Sequence, residues 1–112
     1  LRRRSTSTVA SRLLKVADLE FYPDTQIVKR AGKRLELNAS LRRLLETLMT
    51  NTHRVVRRDE LEAVLWGKDR PDADVLRAHI YALRAIVDKP FEKKLLHTMH
   101  GTGYRLSATD DA

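Results

Sequence analysis

The chain has 112 residues, enough for one domain with a modest core and too few for a second. Its 42% apolar and 33% charged residues exclude a disordered or membrane-embedded composition, and the lack of cysteine excludes a disulfide framework and a cysteine–zinc site. With 22 basic and 15 acidic residues the net charge is +7, which fits either a polyanionic partner or a solvated basic surface.

Residues 1–12 carry four arginines, no acid and no apolar periodicity, so they read as a flexible basic linker. No apolar run approaches the ~18 residues of a membrane helix, and Leu1-Arg2-Arg3-Arg4 leads into Ser and Thr instead of a signal sequence. The expectation is a cytoplasmic protein with no membrane partner.

From Leu13 four runs of strand length follow: 13–16, 19–22, 26–30 and 33–37. Ala17-Asp18, Pro23-Asp24-Thr25 and Ala31-Gly32 separate them with turn chemistry, which predicts an antiparallel meander. After Leu37 the period lengthens, and Leu41, Leu44, Leu45 and Leu48 form one stripe of a helix over 39–51 with Asn38 as its N-cap. Val55-Val56 is a short extended piece. A second helix is predicted over 58–66, with Leu61, Val64 and Leu65 inward, Asp59 and Glu60 at its positive end and Gly67 ending it.

A third helix is predicted over 73–88, capped by Asp72 or Asp74, with Leu76, Ile80, Leu83 and Val87 as its buried stripe. At 100° per residue that stripe leaves Arg77, Tyr81 and Arg84 facing out together, with the small Ala78 and Ala85 between them. Small residues permit close approach, and arginine forks match guanine edges or phosphate, so this face suits a DNA major groove as well as plain solvent. The runs 95–100 and 104–106 flank Gly101-Thr102-Gly103 and predict a β-hairpin.

Other chemistry finds little support. His97 and His100 fall on opposite faces of a strand with no third ligand, so no metal is expected. Gly101-Thr102-Gly103 leads into a strand and cannot form the phosphate cradle of a helix N-terminus. Ser, His and Asp are present without nucleophile or metal-hydrolase spacing, so neither an enzyme nor a cofactor is expected.

These residues resemble one known family, the OmpR/PhoB-type effector domain of two-component response regulators. The likeness spans residues 13–106. It rests on Leu37-Asn38-Ala39 ahead of Leu44-Leu45, on Arg54-Val55-Val56-Arg57-Arg58-Asp59-Glu60-Leu61, on Leu65-Trp66-Gly67, on His79-Ile80 before Leu83-Arg84, and on His100-Gly101-Thr102-Gly103-Tyr104-Arg105-Leu106. It implies an α+β winged helix-turn-helix: an N-terminal four-stranded antiparallel sheet, three helices and a C-terminal β-hairpin wing, followed by a tail at 107–112.

By the same resemblance, the helix 73–88 enters the major groove of double-stranded DNA and the wing 95–106 lies at the minor groove. Arg77, Tyr81 and Arg84 then meet groove or phosphate, His79 meets phosphate, Arg58 and Trp66 meet the backbone, and Thr98, His100 and Tyr104 act from the wing. From its residue type Trp66 reads first as a half-buried core residue and second as a DNA contact, its indole N–H able to serve both, and Tyr104 reads as a packed ring whose hydroxyl reaches phosphate. The resemblance further implies a homodimer on direct-repeat half-sites, contact with RNA polymerase through the loop 67–72, and a phosphorylatable receiver domain ahead of residues 1–12.

Three departures from the family pattern stand out. Arg57 stands where a serine-like cap is usual and cannot accept a hydrogen bond. His100 replaces an arginine ahead of the wing glycines, and Leu41-Arg42 replaces an acidic–aromatic pair.

Overall fold

The computed structural model describes residues 13–52, 54–67 and 73–108. Four strands, β1 (Leu14–Val16), β2 (Leu19–Tyr22), β3 (Ile27–Arg30) and β4 (Lys33–Leu35), form an antiparallel sheet in sequence order. Leu14, Phe21, Val28 and Leu35 are paired across it as one inward row, while Lys15, Glu20, Lys29 and Arg34 form the adjacent outward row. Ala31 and Gly32 both take positive φ, 54° and 81°, as a two-residue hairpin with the strand twist requires. The strands are shorter than the runs predicted for them. Leu37 lies beyond β4 yet is buried, so the core continues past the hydrogen-bonded ladder.

The inward face of this sheet packs on helix α1 (Ala39–Thr50), whose Leu41, Leu44, Leu45, Leu48 and Met49 are buried. Asn38 caps it as predicted, its side-chain oxygen accepting from the Leu41 amide at 2.8 Å. Arg42, at one of the departures from the family pattern, turns back to donate to the Leu37 carbonyl, and its Nε is buried without a hydrogen-bond partner.

Strand β5 (Val56–Arg57) runs directly into α2 (Arg58–Trp66). Arg57 gives α2 no side-chain cap, but Glu60 closes the turn from the other side by accepting from the Arg57 amide at 3.0 Å. Leu61 is fully buried and Leu65 packs against the core, whereas Val64, predicted inward, is 39% exposed. The nine-residue helix turns a stripe centred on Leu61 and Leu65 inward, and Val64 falls off its edge. Gly67 ends the helix at φ 61°.

Helix α3 (Ala73–Val87) buries Leu76, Ile80, Leu83 and Val87 as the periodicity predicts. Asp74 lies inside its first turn, so it is not the N-cap; Asp72 lies outside the described residues, as do His53, the linker 1–12 and residues 68–72 of the loop. Strands β6 (Leu96–Met99) and β7 (Gly103–Leu106) form the hairpin, with β5 on its far side in the order β5-β7-β6. The tight place is Gly103, where an added Cβ would sit 2.1 Å from the Val56 carbonyl oxygen. The hairpin therefore lies against the strand that starts α2, and the Arg105 side chain reinforces this by donating to the Thr52 carbonyl at 2.9 Å. Packing runs past Leu106: Ser107 is buried and donates its amide to the Leu95 carbonyl at 2.8 Å.

Candidate nucleic-acid interface

A cleft of about 420 Å³ lies between the outer face of α3, the start of α2 and the wing. Seven of the nine predicted site residues line it: Arg58, Arg77, Tyr81, Arg84, Thr98, His100 and Tyr104. Among the described residues no carboxylate lines it, so three guanidinium groups border one surface, Arg77 with Asp74 as its partner at the edge.

Each side chain reaches the cleft for a local reason. Arg58 is the first residue of α2 and is exposed because the core-facing stripe begins only at Leu61. Tyr81, opposite the buried Ile80 and Leu83, is 70% exposed. Such a large exposed ring, flanked by cations on a helix, forfeits burial that an inward position would provide.

Arg77 and Arg84 differ more than helical spacing suggests. Arg77 is exposed and folded onto Asp74, one turn earlier, at 2.9 Å. Arg84 is half-buried and turned toward the wing, donating to Thr98 Oγ1 at 2.8 Å and the Leu96 carbonyl at 3.3 Å. The predicted outward stripe of Arg77, Tyr81 and Arg84 is thus exposed at its first two members only. Arg84 ties the helix to the hairpin because β6 passes within its reach.

In the wing, Thr98 is exposed on β6, and His100 is exposed in the turn that follows, beyond the strand predicted to end on it. Tyr104 is 93% buried by its place on β7 between β5 and β6, so only a fringe of it borders the cleft. His97 points elsewhere, its ring nitrogen 3.2 Å from the Ser107 carbonyl oxygen. Among the described residues, no group of three or more His, Asp or Glu is placed to hold a metal ion.

Trp66 and His79 stand apart from the cleft. They form an edge-to-face pair with ring centroids 5.3 Å apart. Trp66 packs against the core, and His79 Nδ1 lies 2.8 Å from the Val75 carbonyl of its own helix. The pair locks α2 to α3. Thr102, not singled out by sequence, is exposed at the tip of the wing and borders both the main cleft and a second one beside Arg57 and Arg58.

At the α2 start, Arg54 and Glu60 form a two-pronged pair at 3.0 and 2.9 Å. The Arg54 contact foremost, then the Arg57 amide, holds the Glu60 carboxyl down at about 2, and the same pair raises the Arg54 guanidinium.

A β-sheet, three helices in which the last presents its face beside a hairpin, and a cationic cleft between the two define a winged helix-turn-helix domain. Residues 32–106 match the family model described as "Transcriptional regulatory protein, C terminal", and the chain belongs to this family, whose effector domains are of the OmpR/PhoB type. It is 31% identical to the transcriptional regulatory protein PcoR of Escherichia coli over 112 residues, covering 99% of this chain and 49% of that protein. The chain thus spans about half the length of the curated relatives it matches. Among solved structures it is similar to the Thermotoga maritima OmpR/PhoB homologue DrrB, with TM-score 0.76, 25% identity and coverage of 91% and 49% of the two chains. It is also similar to the DNA-binding domain of CpxR from E. coli, with TM-score 0.72, 28% identity and coverage of 87% and 98%.

Proposed function

We propose that this domain binds double-stranded DNA sequence-specifically, as the output domain of a two-component response regulator controlling transcription. The observation that carries the reading is the cleft, where α2, α3 and the wing bring Arg58, Arg77, Arg84 and His100 together around an exposed tyrosine, with no lining carboxylate among the described residues. The family membership and the likeness to a DNA-binding domain at 28% identity support it. The helix 73–88 occupies the major groove, with Arg77 and Tyr81 at base edges or phosphate. The wing 95–106 follows the minor groove through Thr98 and His100, and Arg58 grips the backbone.

The roles of Trp66, His79 and Tyr104 are narrower in this reading. The first two fix the angle between α2 and α3 and reach phosphate with their edges, and Tyr104 offers its hydroxyl from a packed ring. Two copies bind direct-repeat half-sites, RNA polymerase meets the loop 67–72, residues 1–12 link to a receiver domain, and the protein works in the cytoplasm.

Selection of bound sequences from a random duplex pool tests the proposal. A tandem motif is expected, with binding that weakens steeply as salt rises because phosphate contacts release counterions. A pool without sequence preference, or affinity indifferent to salt, would overturn it.

A further inference from the structure

Two buried charges lie outside the cleft. Arg30 on β3 is 1% exposed and Asp88, just after α3, is fully buried. The Arg30 guanidinium spends its donors on three parts of the chain. It pairs with Asp18 at 3.0 Å and Asp88 at 3.1 Å, and it donates to the carbonyls of Val87 and Lys93. Its plane lies over the Phe91 ring at 4.7 Å. Asp88 in turn accepts from two consecutive backbone amides at the entry of the wing, Leu95 at 3.0 Å and Leu96 at 2.9 Å.

We propose that Arg30 and Asp88 are a positioning pair that sets the separation and register between the recognition helix and the wing, so that a charge on the N-terminal sheet governs how tightly the cleft holds DNA. The inference rests on the DNA-binding reading above. The connection is continuous: Asp88 holds the Leu96 amide, the Leu96 carbonyl accepts from Arg84, and Arg84 also holds Thr98 inside the cleft.

The ion pairing as such does not account for this pair, since well-packed apolar residues in place of a buried ion pair are often neutral or stabilising; what the two residues add is their bonds to the backbone at Val87, Lys93, Leu95 and Leu96. An apolar contact, however, lets a hairpin slide along a helix. A carboxylate on two successive amides fixes the strand in one register, and a guanidinium on the Val87 carbonyl fixes the helix end against it. The sheet to which Arg30 belongs is held by its own ladder, so the clamp refers both reading elements to one rigid frame.

The test uses this chain with Arg30→Lys, which keeps the charge but loses the fork, and with the charge-free pair Arg30→Met plus Asp88→Leu. Each is assayed against the selected duplex at a temperature where circular dichroism shows it folded. The expected loss in affinity is on the order of tenfold for both. The loss should shrink when Thr98→Ala and His100→Ala are already present, because a displaced wing has nothing further to lose. Affinity equal to the parent's, or a loss fully additive with the wing substitutions, would overturn the pair's role.

If the double variant does not fold, Arg30→Lys decides by the same cycle. If the parent itself binds no duplex, the DNA reading fails. The pair is then judged by the amide resonances of Leu96 and Thr98 in Arg30→Lys: displacement supports the clamp and unchanged shifts sink it.

Discussion

The two ends of α3 are built oppositely. At the C-terminal end, Val87 and Asp88 are fully buried, and the Val87 carbonyl and the Asp88 carboxylate have partners from other elements: Arg30 from the first sheet, Leu95 and Leu96 from the wing. Toward the N-terminal end, the exposed Asp74 and Arg77 pair with each other, with no other side-chain partner among the described residues, and Tyr81 faces solvent. One helix is therefore clamped where it must not move and left free where a ligand would have to meet it. Stability and binding should separate along its length, and substitutions on either side can break or sharpen that separation.

The largest effect is expected on the clamped side, at Gly103→Ala. Its φ is not in the left-handed region, so the cost is purely steric: the new methyl meets the Val56 carbonyl oxygen at 2.1 Å and drives β7 off β5. A loss of about 3 to 4 kcal/mol is expected in urea unfolding, with a rearranged wing. A cost under about 1 kcal/mol would mean that the wing is not held against α2 as described. Next comes Leu83→Ala, which opens a cavity where α3 meets the core and should cost about 3 kcal/mol. Because Leu83 touches only the buried side, folded protein should keep its DNA affinity; a large loss of binding by fully folded variant would erase the distinction between the two sides.

On the reading side the order reverses. Arg77→Ala should leave unfolding unchanged within about 0.5 kcal/mol, since an exposed pair with Asp74 contributes little, yet cost about 1 to 3 kcal/mol in binding. Arg84→Ala should do some of each, losing about 1 kcal/mol of stability with its bonds to Leu96 and Thr98 and a similar amount of affinity. Should Arg77→Ala bind both selected and random duplex as the parent does, the groove assignment of α3 is wrong.

Much of this is legible in the sequence. Leu76, Ile80, Leu83 and Val87 announce a buried stripe because helical geometry leaves one solution for apolar residues at that spacing, and the meander follows from turn residues between short runs. What spacing cannot carry is partnership across elements. Arg84 has the same helical phase as Arg77 but faces β6, and the guide to that lies 14 residues further along, at Thr98. Arg30 looks like one more surface cation in a strand of alternating residues. Its burial depends on an aspartate 58 positions away, which a single sequence presents as an ordinary helix-end acid. Trp66 and His79 are expected at DNA only through the family resemblance, and the structure sets them beside each other, apart from the cleft. The wing glycine is the reverse case: Gly103 reads as a turn residue, while its need for glycine comes from the Val56 backbone.

The smallest effect belongs between the two sides, at the start of α2, where Glu60 substitutes for the cap that Arg57 cannot supply. With its carboxyl lowered from 4.5 to about 2 by Arg54 and the Arg57 amide, Glu60 favours the folded state while ionised. The sign follows from the direction of the shift. A group whose folded value lies below its unfolded one contributes fully above the unfolded value, near 4.5, and loses that contribution as the pH falls through the folded value, near 2. Glu60→Gln should therefore melt slightly below the parent at neutral pH, and the gap should narrow below about 4.5 and close near 2. Because both partners are partly exposed, added salt should narrow it as well. A gap constant from neutral to strongly acid pH would show that Glu60 contributes packing or helix propensity in place of charge. The start of α2, and Arg58 with it, would then be held by Leu61 and the β5 pairing alone.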